Sequence, residues 1–335
     1  MDFFFSFIVP VYNRPNEVQE LLESLSLQDY DKPFEVVVVE DGSRESSEDI
    51  VKKYKDELSI TYLKKKNSGP GDSRNYGMKR AHGNYFIVLD SDCIIPRHYL
   101  SVVEKSLKNN YVDCFGGPDA AHPTFTPVQK AINYAMTSIL TTGGIRGNKR
   151  AVGKFQPRSF NMGISRAAFE KTLGYGNIHP GEDPDLTFRI WEAGYDTKFI
   201  QDAFVYHKRR IDWSKFYIQV KKFGMVRPIL NHWHPSSAKI TYWFPTLFCL
   251  GFVGAMALMS LGVLWPIVLY VLYFGLLFVH SMVVNKNFKV AGLSLVAVVI
   301  QFVGYGYGFL KNSTLMAISN KKPEELFPKL FFKTL

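Results

Sequence analysis

Cysteine is scarce in this chain of 335 residues. Only Cys93, Cys114 and Cys249 occur, an odd number without the close spacing of metal-binding pairs. Small secreted domains that depend on disulfides are rich in cysteine, and structural zinc sites need four suitably spaced ligands. The sequence therefore argues against a disulfide framework and a cysteine-based zinc site, and it is typical of a protein in a reducing compartment.

A signal peptide is not expected at the N-terminus either. The opening residues, MDFFFSFIVPVYN, are apolar, but they include Asp2 and have no basic leader. Pro10 and Asn13 come before any cleavage site of small residues. We interpret the stretch as a buried first strand.

Two long stretches near the C-terminus lack Asp, Glu, Lys and Arg altogether. They cover 243–284 and 290–310. About 20 apolar residues cross a bilayer as a helix, and the first stretch has twice that length with a Trp-Pro pair near its middle. A pair of apolar core helices in a soluble protein would not need runs of this length. We therefore predict an integral membrane protein with three transmembrane segments, at 243–262, 265–284 and 290–310.

The remaining charge is strongly unbalanced. The net charge is +10 and the sequence pI is about 9.3, which favours an anionic ligand or acidic membrane lipids. Nucleic acid is not expected as a partner, because the basic residues cluster near the membrane junction rather than among aromatics on a sheet. Lys286 and Lys289 follow the second predicted span, so the positive-inside rule places the N-terminal domain in the cytoplasm, at the inner membrane in a bacterial cell. The basic tail would then lie outside, so the topology of the third segment stays open.

The first ninety residues alternate between predicted strands and helices. FFSFIVPV, FEVVVVE, ITYLKK and YFIVLD are apolar runs of strand length. Val18, Leu21, Leu22 and Leu25 follow the helical spacing i, i+3, i+4, i+7 between the first two runs. Continuous apolar strands are typical of a parallel sheet covered on both faces. The pattern predicts a doubly wound α/β fold, which binds ligands at the carboxyl ends of its strands.

Polar residues gather at those predicted strand ends. Tyr12 and Asn13 follow the first strand, Asp41 ends the second, and Asp90-Ser91-Asp92 follows the fourth. The phosphate-binding motifs G-x-G-x-x-G and G-x-x-x-x-G-K-[ST] are missing, which excludes ordinary dinucleotide and P-loop sites. Two aspartates at an extended strand end face the same way and can hold a hard divalent cation, although for a D-x-D on its own a solvated turn is the better explanation.

Four motifs together resemble glycosyltransferase family 2. They are SFIVPVYNRP, VVVVEDGS, NSGPGDSRNYGMKRAHGNYFIVLDSD and GEDPDLTFRI, and the resemblance covers roughly 3–225. It implies the GT-A fold of nucleotide-diphospho-sugar transferases, a Rossmann-like mixed sheet, together with an inverting reaction, a nucleotide-sugar donor such as a UDP- or GDP-sugar, and Mg²⁺ or Mn²⁺.

The resemblance also implies roles for individual residues. Asp92 would bind the metal directly, with Asp90 nearer the ribose and His207 as a further ligand. Asp183 would be the catalytic base and Glu182 would position the acceptor, although acidic residues at a helix start also need no catalytic role. The nucleotide-sugar contacts would be Pro10, Tyr12, Asn13, Asp41, Arg74, Asp90 and Ser91. Candidates on the acceptor or diphosphate side are Arg158, Asn161, Arg209 and Gln219.

We predict four regions along the chain. They are a GT-A catalytic domain at 1–210, an amphipathic interface segment at 211–240, the transmembrane region at 241–311 and a basic tail at 312–335. In the second region, aromatic residues such as Trp213 and Phe216 mark one helix face with lysines opposite, which favours either a lipid boundary or packing on the catalytic domain.

The function predicted from these features is a membrane-anchored inverting glycosyltransferase acting on a lipid-linked or growing glycan. Two alternatives remain. One is transfer onto a polyprenyl phosphate, as in enzymes like dolichyl-phosphate-mannose synthase, and the other is a non-catalytic membrane protein that binds nucleotide sugars.

Overall fold

The computed structural model describes residues 2–120, 125–142, 154–207 and 212–332. Within these ranges the chain divides into two compact units. Residues 2–120, 154–207 and 331–332 form the sheet unit. Residues 125–142 and 212–330 form the helical unit.

A seven-stranded sheet forms the centre of the sheet unit. In order across the sheet, its strands are β3 (Ser59–Lys65), β2 (Glu35–Asp41), β1 (Phe5–Val11), β4 (Tyr85–Leu89), β8 (Asn161–Ser165), β6 (Cys114–Gly116) and β9 (Thr197–Phe199). β8 runs antiparallel to both of its neighbours, while the other pairs are parallel. The predicted mixed α/β sheet is therefore confirmed, and its first four strands lie where the apolar runs place them.

Both faces of the sheet are covered, as the continuous apolar strands predict. Val36 and Val38 belong to one buried cluster, whereas Val37 and Val39 belong to the cluster on the other face. The helices of this unit are α1 (Pro15–Ser26), α2 (Glu48–Lys53), α3 (Pro70–Met78), α4 (Tyr99–Asn109), α7 (Arg166–Thr172) and α8 (Glu182–Glu192). α1 buries all four apolar residues of the predicted helical spacing, which confirms the predicted helix.

A small second sheet joins three short strands of the same unit. They are β5 (Cys93–Ile94), β10 (Val205–His207) and β7 (Asp119–Ala120), in that order. The sequence gives no sign of this sheet, because strands of two or three residues carry no periodicity. Its consequence is that the backbone of His207 pairs with Cys93, directly after Asp92.

The helical unit contains three helices long and apolar enough to span a membrane. They are Ile240–Ser260, Trp265–Asn285 and Phe288–Ile318, with mean hydropathies of 1.6, 2.3 and 1.8. The last one extends eight residues past the predicted end at 310. The α-helices here are α5 (Pro127–Thr137), α6 (Ile139–Thr142), α9 (Trp213–Trp233), α10 (Phe244–Ser260), α11 (Trp265–Asn285), α12 (Phe288–Ile318) and α13 (Pro323–Leu326), and short 3₁₀ turns cover Pro235–Ser237, Ile240–Trp243 and Pro328–Leu330.

α9 packs closely on α12 within this unit. A Cβ on Gly304 would lie 2.7 Å from Val220, and one on Gly308 would lie 2.3 Å from the carbonyl oxygen of Lys221. This spacing of small residues lets two backbones approach, as in membrane helix pairs. Phe216 and Val220, from the predicted amphipathic face, are buried in a cluster with α12 residues such as Phe302. Part of that face therefore packs on protein rather than on lipid.

Candidate active site

The D-x-D motif lies where β4 ends. The sequence predicts that the motif continues the strand in an extended conformation, and this prediction is wrong. Ser91 and Asp92 instead form a turn, which is closed by a hydrogen bond from the Cys93 amide to the Asp90 carbonyl. The central Ser91 is buried, while the side chains of Asp90 and Asp92 are 32% and 11% exposed. The turn thus leaves Asp90 partly exposed and Asp92 mostly covered.

Arg74 connects this motif to a distant part of the chain. It lies on α3 and is 4% exposed. Its Nη2 donates to Asp90 Oδ1 at 2.9 Å, and its Nη1 lies 3.4 Å from Glu182 Oε1. The guanidinium also stacks 5.2 Å from the centroid of the Tyr175 ring. A buried arginine is stable only with partners of this kind, so Arg74 fixes the D-x-D motif relative to the start of α8.

Glu182 and Asp183 occupy the first turn of α8, where the helix dipole favours negative charge. The Nδ1 atom of His179 lies 2.9 Å from Glu182 Oε1. Burial acts to raise the pKa of Glu182, but the hydrogen bond and charge of His179, with the charge of Arg74, outweigh it and lower the pKa to about 2. Glu182 is therefore an anion at neutral pH.

Asp183 has the opposite character. Its Oδ2 accepts a hydrogen bond from the Ser159 amide at 3.2 Å, whereas its buried Oδ1 has no hydrogen-bond partner among the described residues. Burial and the negative charge of Glu182 raise the pKa of Asp183, against the charges of Arg74 and Arg158. An unpaired carboxylate oxygen with a raised pKa is what a general base needs.

This pair of shifts gives a pH prediction. If Asp183 must be ionised to act as a base, kcat/KM for the catalysed reaction increases as the pH rises past the raised pKa of Asp183. In the Glu182→Gln variant the neighbouring negative charge is gone, so the pKa of Asp183 falls and the acidic limb of the kcat/KM profile moves to lower pH. The control is Glu192→Gln, an exposed carboxylate at the other end of α8. An acidic limb that stays in place or moves to higher pH would contradict the coupling.

Asp41 is the last residue of β2, two strands away from β4 in the sheet, and it is 4% exposed. Its carboxylate accepts hydrogen bonds from the backbone amides of Ser68 and Gly69 and from Lys65 Nζ, each at 3.0 Å. Lys65 also contacts Asp72. The structure thus places Asp41 beneath the loop before α3, and it adds Lys65, which sequence reasoning missed.

The predicted contacts at the end of β1 differ from one another in exposure. Pro10 lies within the strand, and the Tyr12 side chain is 52% exposed. Asn13 has φ 53, and its side-chain oxygen accepts from the amide of Arg44 at 2.7 Å. Tyr12 is therefore available to a ligand, whereas Asn13 holds the ends of β1 and β2 together.

Asp92 is paired with Arg14, which follows Asn13 along the chain. The Nη1 atom of Arg14 lies 2.5 Å from Asp92 Oδ2. Sequence reasoning missed this arginine, although it belongs to the N-R-P segment at the end of β1. Among the described residues, no three His, Cys, Asp or Glu side chains form a ready-made metal cluster.

The four acceptor-side candidates lie in different surroundings. Arg158 forms a β-bridge with Asn161, and its charge acts on Asp183. Asn161 is fully buried and bonds Tyr99 and the carbonyl of Ala203, so it positions β8 rather than lining an open surface. Arg209 lies outside the described residues, and Gln219 belongs to the helical unit.

Comparison with known proteins identifies the family. The profile described as Glycosyl transferase family 2 matches residues 6–173, half of the chain. The chain belongs to glycosyl transferase family 2. This family 2 chain is 30% identical over 188 residues to an uncharacterized glycosyltransferase of Rickettsia bellii, covering 55% of the chain and 26% of that relative. It is 38% identical over 112 residues to the poly(ribitol-phosphate) beta-N-acetylglucosaminyltransferase TarS of Staphylococcus aureus, covering 32% of the chain and 20% of TarS.

A solved structure supports the fold. The mannosyltransferase PcManGT from Pyrobaculum calidifontis, in complex with GDP-Man and Mn²⁺, is similar with a TM-score of 0.59 and 16% identity, over 95% of this chain and 89% of that one. At this identity the likeness concerns the fold alone, which is GT-A. The family 2 chain matches only about a quarter or less of the length of the first curated relatives.

Proposed function

We propose that this chain is an inverting glycosyltransferase that moves a sugar from a UDP- or GDP-sugar to a lipid-linked or growing glycan. The observation that carries the proposal is the double contact of Arg74, which joins Asp90 of the D-x-D motif to Glu182, the neighbour of Asp183. A donor motif and a candidate base thus belong to one connected cluster. Family membership supports the same chemistry.

The donor would lie along the edge where β1, β2 and β4 end. Asp41 and the exposed Tyr12 would face the base, and the partly exposed Asp90 would face the ribose, next to the buried Ser91. Arg74 would keep Asp90 oriented, because its own position is fixed by Glu182 and Tyr175. This assignment follows the general location of ligands in open α/β sheets.

Asp183 would act on the acceptor. Its unpartnered Oδ1 would take the proton of the attacking hydroxyl as the new bond forms to the anomeric carbon and the bond to the diphosphate oxygen breaks. A single displacement of this kind inverts the anomeric centre. Glu182, held as an anion by His179 and Arg74, would position the acceptor and keep the pKa of Asp183 raised.

A divalent cation fits the donor set in part. Asp92 and Asp90 offer carboxylate oxygens, the ligands that Mg²⁺ and Mn²⁺ prefer, and the backbone of His207 lies in the strand next to Asp92. Arg14 pairs with Asp92 Oδ2, so a metal ion would bind the other carboxylate oxygens or displace this guanidinium. The metal would neutralise charge on the departing diphosphate.

Membrane attachment would bring a lipid-borne acceptor to the enzyme. The chain carries three helices long and apolar enough to cross a bilayer. Nucleotide sugars are charged and water-soluble, so we place the sheet unit, which includes Phe331 and Phe332, in the cytoplasm, in agreement with Lys286 and Lys289 around the start of α12. Both ends of the helical region would then lie on the cytoplasmic side, so α10 and α11 would cross the bilayer and α12 would not cross it fully.

Donor binding provides the first test. We expect the full chain in detergent to bind one member of a UDP- and GDP-sugar panel by calorimetry, more tightly with Mn²⁺ or Mg²⁺ than with EDTA. Transfer should fall by about two orders of magnitude or more in Asp92→Asn, because the cation supplies several kcal/mol to the departing charge.

The matched control is Asp49→Asn, since that carboxylate is 90% exposed and pairs only at the surface. It should leave binding and transfer unchanged. Equal donor binding with metal and with EDTA, in both wild type and Asp92→Asn, would remove the metal from the assignment. Binding without transfer to any lipid or glycan acceptor would favour a non-catalytic nucleotide-sugar protein.

A further inference from the structure

Phe331 and Phe332 belong to the sheet unit, although the stretch just before them, 212–330, belongs to the helical unit. Phe331 pairs with Ile178 in an antiparallel bridge, and the Phe332 amide donates to the Asn177 carbonyl at 3.0 Å. The two phenylalanines therefore pair through their backbone with residues 177–178, which precede Glu182.

The ring of Phe332 lies directly against Gly69. A Cβ built on Gly69 would be 2.4 Å from the Cδ2 atom of this ring, so no side chain fits between them. Gly69 also has φ +95, a conformation that glycine adopts readily. The amide of the same residue donates to Asp41 Oδ2. Phe332 therefore contacts a residue that is hydrogen-bonded to Asp41, the carboxylate predicted to bind the nucleotide.

The same ring also contacts His179. The two ring centroids are 5.7 Å apart, with the planes inclined at 52°. His179 in turn bonds Glu182, whose carboxylate pairs with Arg74. One aromatic side chain therefore contacts both the loop that is bonded to Asp41 and the histidine that is bonded to the acceptor-side acid.

We propose that Phe332 is a positioning residue of the donor site. Its ring holds the 67–70 loop over Asp41 and holds His179 on Glu182, so the carboxyl-terminal segment completes the active site of the enzyme. The inference rests on the proposed function. Packing of an aromatic ring on two neighbours preorganises them, and its loss raises the cost of ordering the site when donor binds.

The test compares four forms of the full chain in detergent. Phe332→Ala and a chain that ends at Phe331 lose the ring, whereas Phe332→Tyr and a chain that ends at Phe332 keep it. Without ligand, we expect hydrogen exchange at the amides of Ser68 and Gly69 to be about tenfold faster in the first pair than in the second.

Kinetics give a second readout. For the forms without the ring we expect the donor KM to rise about tenfold while kcat changes less than about threefold, because the loss falls on ordering the donor loop before chemistry. Phe332→Tyr should restore wild-type values. Loss of kcat alone, or the same loss in the chain that ends at Phe332, would overturn the role of Phe332.

The two proposals can fail separately. If wild type binds and transfers a sugar but Phe332→Ala leaves both exchange and donor KM unchanged, only the role of Phe332 is overturned. If wild type binds no nucleotide sugar at all, the proposed function fails and the donor role of Phe332 fails with it. Faster exchange in Phe332→Ala would then report packing of the loop only.

Discussion

Replacing Asp183 by asparagine should reduce glycosyl transfer by about 10²–10⁴-fold, the usual contribution of a general base. The amide cannot accept a proton at the position of Oδ1, the carboxylate oxygen that has no partner within the described residues. Donor affinity should change little, because the proposed function assigns Asp183 to the acceptor. The measurement is kcat with a saturating donor and acceptor, beside the donor Kd from calorimetry.

Asp196→Asn is the matched control, since that side chain is 73% exposed and pairs with Lys154 at the surface. It should retain wild-type kcat. Wild-type turnover in Asp183→Asn would remove this residue as the base. A decrease in donor affinity as large as the decrease in kcat would instead indicate that the variant disturbs the Arg74 cluster.

Arg74→Met should destabilise the protein by about 3 kcal/mol and abolish transfer. Removing one partner of a buried ion pair leaves the other charge buried and uncompensated, and Arg74 faces two carboxylates, Asp90 and Glu182. The pKa values of Glu182 and Asp183 should also rise, because the charge of Arg74 lowers both. Denaturant unfolding of the full chain in detergent measures the change in the free energy of unfolding.

Arg80→Met is the control for Arg74, because Arg80 is exposed just beyond the same helix and stacks on Tyr76. Its loss should cost well under 1 kcal/mol. Adding Glu182→Gln to Arg74→Met should recover part of the lost stability, since it removes one unpaired charge. Independent, additive losses would show that the two side chains do not interact.

The strands and the first helix could be predicted from local pattern. β1, β2 and β4 are continuous apolar runs because each is covered on both faces, and α1 has a clear apolar stripe. Functional roles could be predicted for the D-x-D motif and for Glu182-Asp183 only because four weak motifs occur together in one order. Each of them alone is compatible with a turn or a helix start.

The contacts that connect the site could not be predicted in this way. Arg74 and Glu182 are 108 positions apart, and Arg14 and Asp92 are 78 apart. Such pairs leave no periodic signal, because a buried arginine and a surface arginine look alike in one sequence. The position of Phe332 was missed for the same reason, since the last residues read only as a basic tail.

The reversed direction of β8 has a further consequence. Leu89 at the end of β4 lies opposite Asn161 at the start of β8, so the chain arrives at the same edge from which the donor strands leave. The stretch between Ala120 and Asn161 can therefore change in length or composition without shifting the register of β1, β2 or β4. Under the proposed function, this plan would let the acceptor side vary while the edge assigned to the sugar donor stays constant.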